Sequence, residues 1–335
     1  MLRRWARNGD ADPAGLVDAL EILDVDLPGY ETGGAAKRRA IVDGVTRSLA
    51  TGFVYVAHDL PEDELDDCYA MLERFFALPE AAKARTAAPG SRGQRGYTGL
   101  LVETAAGRRA ADWKEMLNWG EAAPAGHPLG RRFPDRYGEP VLPEADLPGI
   151  SALLMRFHRR LAELQRRFLR IVAAGLGADE RFFDAMVEHG ATLTRAIHYP
   201  PTASAPGPEH VWSAEHGDIN LVTALPRATA PGLQVKTSEG WLDASPPPGH
   251  AILNSGLMLE HLSNGRIPNG IHRVVAQPDQ TGARLSVVQF CHPTPDTILA
   301  PLACCIDAAH PQRFGAIQAA DRLDEVLWEI GLAGD

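Results

Sequence analysis

The first part of the chain combines helical and short extended patterns of hydrophobic residues. The longest helical pattern runs from 149 to 175, where apolar residues recur every three or four positions and arginines lie mostly on the other side. This period predicts one long amphipathic helix with a buried apolar face and a solvated basic face. Shorter patterns predict a strand at 20–27, a helix at 35–52 ending at Gly52, a strand at 53–56, a helix at 60–79 and a Gly-rich loop at 88–100.

The pattern changes at about residue 191. Short β-like runs follow, separated by loops that contain proline or glycine, and a last helical pattern closes the chain at 316–331. Regularly spaced short strands with turn signals predict a sandwich or jelly roll. The expected fold class is therefore α+β, with a helical N-terminal region, a β core and a C-terminal helix. The predicted core strands are 191–199, 219–225, 232–236, 250–254, 271–276 and 284–291.

Composition narrows the classes of function. The chain has 335 residues, of which 45% are hydrophobic and 23% charged, with a formal net charge of −10. This acidic balance argues against nucleic acid and anionic membrane surfaces as partners. The N-terminal sequence lacks the apolar region of a secretory signal, no stretch has the length of a membrane span, and the four cysteines show no C-x-x-C spacing. These features predict a cytoplasmic protein with reduced thiols; none of them indicates an oligomeric state.

Candidate chemistry centres on His216 and Asp218, which lie two residues apart at the start of an apolar run. A lone His-x-Asp pair is weak evidence, since a chain of this composition contains about one by chance, and an ordinary turn is the alternative. His272, which opens a later β-like run, completes a set of two histidines and one carboxylate. Such a facial triad leaves three positions of an octahedral Fe(II) open, which suits a metal that must bind a co-substrate and O2.

A second group of polar residues follows strand parity. Arg284 and Ser286 are two residues apart in an extended run, so both point to one face, and a guanidinium beside a hydroxyl suits a carboxylate. The same period of two places Val288, Phe290 and His292 on that face. It also places Arg195, Ile197 and Tyr199 on one face of an earlier strand.

These motifs together identify a family. The order "HYPP", "HGD", "LEHLSNGRIPNGIHRV" and "RLS" resembles the isopenicillin N synthase-like branch of the Fe(II)/2-oxoglutarate-dependent oxygenases, and the likeness extends over about residues 20–330. The resemblance implies a double-stranded β-helix (jelly-roll) core at 191–300. Around it, the implied organisation is an N-terminal non-haem dioxygenase region at 1–130, long packing helices at 131–190 and a C-terminal helix at 301–335.

The resemblance also assigns roles to residues. It implies His216, Asp218 and His272 as ligands of Fe(II). It implies Arg284 and Ser286, assisted by Tyr199, as the binding site for the distal carboxylate of 2-oxoglutarate. The implied reaction consumes O2 and decarboxylates 2-oxoglutarate to succinate while the substrate is oxidised. Many members have Asn two residues before the tyrosine, where this chain has Ile197, so one hydrogen bond to the co-substrate is missing. Retention of Asp218 argues against halogenation, since related halogenases lose this carboxylate.

The family pattern implies a mixed substrate pocket. Its members are Met116, Asn118, Arg195, Phe290 and His292. Strand parity independently places Phe290 and His292 with Arg284, and Arg195 with Tyr199. We expect a small-molecule substrate with an anionic group held by Arg195. Alternatively, Arg195 pairs with a local acid such as Glu188, because buried charges are usually paired.

Three functions are compatible with these residues. The first is a 2-oxoglutarate-dependent dioxygenase that hydroxylates, desaturates, epoxidises or cyclises a small metabolite, as in bacterial natural-product and antibiotic biosynthesis. The second is an oxidase of the same branch that uses iron and O2 without 2-oxoglutarate, so that the Arg-x-Ser pair binds another anion. The third is a non-catalytic jelly-roll binding protein, which the intact triad argues against.

Overall fold

The computed structural model describes residues 22–104 and 110–329. The predicted first strand therefore begins, and the predicted last helix ends, outside the described residues. The helices are α1 (Leu27–Thr32), α2 (Ala35–Ser48), α3 (Glu62–Phe76), α4 (Glu80–Ala84), α5 (Pro128–Arg132), α6 (Pro134–Tyr137), α7 (Ile150–Leu176), α8 (Asp184–Val187), α9 (Leu257–Leu262) and α10 (Ala319–Glu329). Short 3₁₀ helices lie at Leu49–Thr51, Pro89–Ser91, Thr202–Ser204 and Ala303–Cys305.

The strands form two main antiparallel sheets and one small ribbon. Their bounds are β1 (Asp24–Asp26), β2 (Phe53–Ala57), β3 (Gly96–Thr98), β4 (Glu115–Trp119), β5 (Leu193–Tyr199), β6 (Ser213–His216), β7 (Val222–Ala228), β8 (Leu233–Thr237), β9 (Gly240–Asp243), β10 (His250–Ser255), β11 (His272–Val274), β12 (Arg284–Cys291), β13 (Ile298–Leu299) and β14 (Ile317–Gln318). The major sheet has the order β1-β2-β10-β7-β12-β5-β4-β3, in which only β1 and β2 run parallel. The minor sheet has the order β6-β11-β8-β9, while β13 pairs with β14.

The two sheets share one apolar layer. Side chains from β5 and β12 of the major sheet, such as Ile197 and Val288, pack in the same buried cluster as Val235 and Val274 of the minor sheet. Two antiparallel sheets that bury their inner faces against each other form a jelly roll, which confirms the predicted fold class. A cavity opens between them, and it is lined from both sheets.

Helix α7 covers the outer face of the major sheet. Phe157, Leu161 and Phe168 on its apolar stripe are almost completely buried in a cluster that includes Leu253 and Val287 of the sheet. Burying each such side chain contributes roughly 1.5–3 kcal/mol, so this stripe fixes the helix on the sheet. The arginines on its other side are paired with acids at the surface, as in Arg159–Glu121, Arg166–Glu163, Arg167–Asp59 and Arg170–Asp184.

One prediction about the N-terminal half needs correction. The segment 88–100 is not loop throughout, because β3 lies within it and pairs with β4. The glycines that indicated a loop also permit the close approach at Gly96, where φ is +72° and an added Cβ would lie 2.2 Å from a carbonyl oxygen. The four N-terminal strands, β1–β4, hydrogen-bond into the same sheet as the core strands.

Candidate metal centre and active-site cavity

The two histidines of the predicted triad face each other across the minor sheet. His216 ends β6 and His272 begins β11, and the two are paired in the antiparallel register. Their ring centroids are 4.3 Å apart. Asp218 follows β6 after Gly217, and one ligand atom from each of His216, Asp218 and His272 lies within 4.8 Å of the other two. The structure therefore brings together residues from two distant segments of the chain.

Backbone carbonyls orient both imidazoles. Nδ1 of His216 donates to the Ala214 carbonyl at 2.8 Å, and Nδ1 of His272 donates to the Gly270 carbonyl at 3.0 Å. In each ring the other nitrogen, Nε2, is thereby left as the unprotonated atom with a free lone pair, as metal ligation requires. An edge contact from Phe53 to the His272 ring, with centroids 6.0 Å apart, further restricts its rotation.

The Asp218 carboxylate is held through one oxygen. Its Oδ2 accepts hydrogen bonds from Thr223 Oγ1 at 2.6 Å and Asn254 Nδ2 at 2.7 Å. Its Oδ1 lies 4.0 Å from His272 Nε2, on the side of the two histidines. A cation at this point would therefore meet two imidazole nitrogens and one carboxylate oxygen, the donor set that suits ferrous iron. At Gly217 the Asn269 side chain packs closely against the backbone, since an added Cβ would lie 2.4 Å from Asn269 Nδ2.

The electrostatics of the cluster favour a bound cation. Burial lowers the pKa of His216 to about 4, and the neighbouring His272 contributes in the same direction. Burial would raise the pKa of Asp218, but the two histidines and the hydrogen bonds from Thr223 and Asn254 lower it below its usual value. A neutral imidazole beside an ionised carboxylate is the protonation state in which these groups bind metal.

Arg284 is a buried cation in the same cavity, which has a volume of about 350 Å³. Its Nε donates to the Ala230 carbonyl at 3.1 Å and its Nη1 to Ser286 Oγ at 3.0 Å. Tyr199 lies opposite Arg284 in the register of β5 and β12, with its ring centroid 5.2 Å from the guanidinium carbon. Burial lowers the pKa of Arg284. Among the described residues no carboxylate pairs with it, so this cation suits an incoming anion.

Arg195, on β5, is paired differently. Its Nε donates to Asn118 Oδ1 at 2.7 Å, and its Nη1 lies 3.4 Å from Glu103 Oε1. Glu103 also binds Lys114 at 2.6 Å, between Glu103 Oε2 and Lys114 Nζ. The acid that the sequence suggested, Glu188, instead lines a separate cavity near α7. The charged partner of Arg195 is therefore Glu103.

The remaining predicted pocket residues divide into two groups. Phe290 and His292 line the cavity, as strand parity predicted. Met116 and Asn118 are not among its lining residues. They pair with Ile197 and Arg195 from β4, one strand further along the sheet, and Asn118 contacts Arg195 as well as the Gly96 carbonyl. Met116 and Asn118 therefore lie behind the cavity wall and not on it, contrary to the prediction.

Several cavity residues were not predicted. Glu103, Asp112 and Lys114 have no role in the predicted site, and they lie in a connection between strands, where periodicity carries no information. Thr223 could have been found, since it follows Asp218 by five residues at the start of β7. The wall also includes Leu323, Val326 and Leu327 from α10. Their spacing matches one face of a helix, but the sequence gives no indication of what that face covers.

Comparison with known proteins identifies the family. Residues 23–144 match the family described as "non-haem dioxygenase in morphine synthesis N-terminal", and residues 190–293 match the "2OG-Fe(II) oxygenase superfamily". The second range contains the triad, Tyr199, Arg284 and Ser286. A curated relative, leucoanthocyanidin dioxygenase 1 of Oryza sativa subsp. indica, is 30% identical over 287 residues, which cover 82% of this chain and 72% of that protein.

The chain belongs to the 2OG-Fe(II) oxygenase superfamily. A solved structure of a 2OG-Fe(II) oxygenase family protein from Caulobacter crescentus is 31% identical, with a TM-score of 0.80 over 92% of this chain and 98% of that one. A full-length protein of Neurospora crassa, solved in complex with alpha-KG, is 25% identical, with a TM-score of 0.79 over 93% and 98%. Like other members of this superfamily, the protein is a dioxygenase that uses Fe(II) and 2-oxoglutarate, and the donor set and the unpaired Arg284 fit both groups.

Proposed function

We propose that this dioxygenase oxidises a small molecule in the cavity between the two sheets, with His216, Asp218 and His272 as the iron ligands. One observation supports this above all others: the three ligand atoms converge in a cavity that also holds a buried arginine with no carboxylate partner among the described residues. A metal site that shares its cavity with an unpaired cation is the arrangement that a chelating dicarboxylate requires.

Each residue contributes a definable task. Arg284 and Ser286 bind the distal carboxylate of 2-oxoglutarate, and the Tyr199 ring closes the same subsite. The backbone carbonyls of Ala214 and Gly270 keep both histidine Nε2 atoms aimed at the metal. When bound, iron with 2-oxoglutarate and O2 supplies the oxidising power, and succinate and CO2 are released. The apolar wall limits water near the reacting centre, which protects the substrate oxidation from side reactions.

The class of substrate is supported more strongly than the reaction outcome. The cavity of about 350 Å³ is enclosed by both sheets and α10, which fits a small metabolite. The plant relative is named for leucoanthocyanidin, also a small molecule. No helix among the described residues is long and apolar enough to cross a membrane. Hydroxylation, desaturation, epoxidation and cyclisation are all compatible with the site, and a natural-product pathway and a cytoplasmic location stay predictions.

Succinate formation tests the proposal. The metal-free protein is loaded with Fe(II) in the absence of O2, then given 2-oxoglutarate and O2, and succinate is measured with and without candidate substrates. We expect slow succinate formation without substrate and faster formation with one. The Asp218→Ala variant should form none. Absence of succinate in every condition, with intact iron binding, would contradict the use of 2-oxoglutarate.

One observation favours a second function, an oxidase that does not use 2-oxoglutarate. Ile197 lies opposite Ser286 in the register of β5 and β12, and its apolar side chain offers no hydrogen bond to a co-substrate there. In that case Arg284 binds an anionic group of the substrate, and O2 is consumed without succinate. O2 uptake that is independent of 2-oxoglutarate separates this function from the first. Absence of both activities supports a non-catalytic binding protein.

A further inference from the structure

The cavity wall carries three cations that differ in their partners. Among the described wall residues these are Lys114, Arg195 and Arg284. Lys114 and Arg195 each have a carboxylate partner, and Arg284 has none within 22–104 and 110–329. The proposed co-substrate is an anion and has its own unpaired cation. With Arg284 assigned to the co-substrate, the two paired cations are the ones left to face the substrate.

The paired cations form a closed electrostatic group. Lys114 Nζ lies 2.6 Å from Glu103 Oε2 and 2.9 Å from Asp112 Oδ2, and Glu103 Oε1 reaches Arg195 Nη1 at 3.4 Å. All four side chains are nearly buried, with 3% to 12% of each exposed. We call Glu103, Asp112, Lys114 and Arg195 the balanced cluster, because two positive and two negative charges leave no net charge.

We propose that the substrate is an uncharged molecule and that Glu103 determines this preference by neutralising Arg195. This inference rests on the proposed function, since it names the substrate class of the same cavity. An anionic group against Arg195 would lie beside the buried Glu103 carboxylate, in a cluster whose two cations are already balanced. It would add an uncompensated buried charge, which is unfavourable at low dielectric. The expectation of an anionic substrate is thereby replaced.

The neighbours of Arg195 define the uncharged group further. Phe290 lies beside it, with the guanidinium carbon 5.3 Å from the ring centroid, so a flat group can contact the aromatic face. His292 is buried on the same wall and has no hydrogen-bond partner among the described residues. Burial lowers its pKa to about 3, with Arg136 contributing in the same direction, so its imidazole is neutral. A neutral imidazole both donates and accepts, as a carboxamide or lactam requires.

The apolar remainder of the wall completes the description. Ile197, Leu225 and Val288 line the cavity from the major sheet, and α10 adds Leu323 and Leu327. Such a wall binds an apolar or aromatic skeleton by removing it from water. The chemistry that fits is therefore a flat, uncharged polar group, with hydrogen-bond donor and acceptor atoms, on an apolar body.

Three probes of one shape and different charge test the inference. Benzamide is neutral, benzoate is anionic and benzamidine is cationic. Binding of each is measured by calorimetry to the zinc-substituted protein with 2-oxoglutarate bound, so that no turnover is needed. We expect wild type to bind benzamide at least about tenfold tighter than either charged probe. Loss of benzamide binding in Arg195→Met shows that the measured site is this one.

Two variants shift the charge of the cluster in opposite directions. Glu103→Gln leaves one net positive charge, so benzoate affinity should rise by about tenfold. Lys114→Met leaves one net negative charge, so benzamidine affinity should rise by a similar factor. Glu163→Gln, which alters a surface pair on α7, is the matched control and should behave as wild type. Melting temperatures show whether each variant is folded. If Glu103→Gln is unstable, the predicted rise in benzamidine affinity of Lys114→Met tests the inference instead.

The outcomes separate this inference from the proposed function. A wild-type preference for benzoate, an unchanged benzoate affinity in Glu103→Gln, or no binding of any probe to any variant would overturn the charge selection. None of these results depends on succinate formation. Conversely, a protein that prefers benzamide but forms no succinate would retain the inference about the cavity and lose the proposed reaction.

Discussion

His216 and His272 are register partners on adjacent antiparallel strands, with ring centroids 4.3 Å apart and both Nδ1 atoms donating to backbone carbonyls. Their separation is therefore set by the spacing of two strands and not by the metal. Asp218 joins them through a short connection that begins at the end of β6. A site whose ligands are held by the sheet loses little conformational entropy when the metal binds, which favours tight binding.

The first prediction concerns the hydrogen bonds to Asp218 Oδ2. Replacing Asn254 with Ala, or Thr223 with Val, releases the carboxylate to rotate and accept other partners. We expect metal affinity to fall by about 10- to 100-fold in each variant, the usual effect of residues that orient a ligand. Calorimetric titration with Co(II) or Fe(II) measures this. Thr237→Val, in an exposed hairpin, is the control. Wild-type affinity in both variants would show that the backbone alone positions the carboxylate.

The second prediction concerns Arg284, which has no carboxylate partner among the described residues. Arg284→Met removes the charge and its hydrogen-bond donors from the co-substrate subsite, at a cost of about 2–5 kcal/mol in binding. The dissociation constant of 2-oxoglutarate should rise by roughly two to three orders of magnitude, while metal affinity is unchanged. Equilibrium titration without O2 measures both. Arg166→Met, at a surface pair, is the control, and an unaltered 2-oxoglutarate affinity in Arg284→Met would assign that arginine to another ligand.

The third prediction concerns how helix α10 is held on the cavity wall. Asp324 accepts from Arg136 at 2.6 Å and pairs with Arg92 at 3.1 Å, and the same turn carries Val326 and Leu327 on the cavity wall. Asp324→Ala breaks both contacts and leaves Arg136 buried without this carboxylate. We expect faster amide hydrogen exchange throughout α10, with 2-oxoglutarate affinity unchanged. Asp321→Asn on the same helix is the control. Equal exchange in both variants would mean that apolar packing alone holds the helix.

The fourth prediction concerns His158 and the dependence of stability on pH. His158 lies on the sheet-facing side of α7, where burial lowers its pKa to about 4, and its Nδ1 lies 2.7 Å from Thr194 Oγ1. The unfolded chain binds a proton at this histidine near pH 6.5, but the folded protein does not until about pH 4, so stability falls as pH decreases between these values. The stability advantage of wild type over His158→Gln should shrink by about 2 kcal/mol from about pH 7 to about pH 5.

Urea denaturation of the metal-free proteins at both pH values measures this difference. The metal ligands also titrate in this range, but they are common to wild type and variant and cancel. A constant difference between the two proteins would mean that His158 is accessible to protons in the folded state.

Strand parity predicted much of the cavity because a period of two is a local property. Arg284 and Ser286 share a face with Phe290 and His292 whatever lies around them, and the structure places all four on one wall. The family resemblance, and not parity, assigned Asn118 to the wall, and neither shows how far its strand lies from the cavity, where Asn118 sits behind Arg195. Glu103 was missed because it lies in a connection with no period, and only the folded chain brings it to Arg195. The α10 wall was missed because a helical period does not show what the helix packs against.

The pairing of Arg195 with Glu103 separates two kinds of selectivity within one chamber. Binding of the co-substrate depends on Arg284 and Ser286 of β12. Selection of the substrate depends on the Glu103 carboxylate, which lies in a connecting segment. A single change at position 103 would therefore retune which metabolites are accepted while the iron and 2-oxoglutarate sites stay intact. New substrate preferences could arise in this scaffold by altering the countercharge instead of rebuilding the pocket.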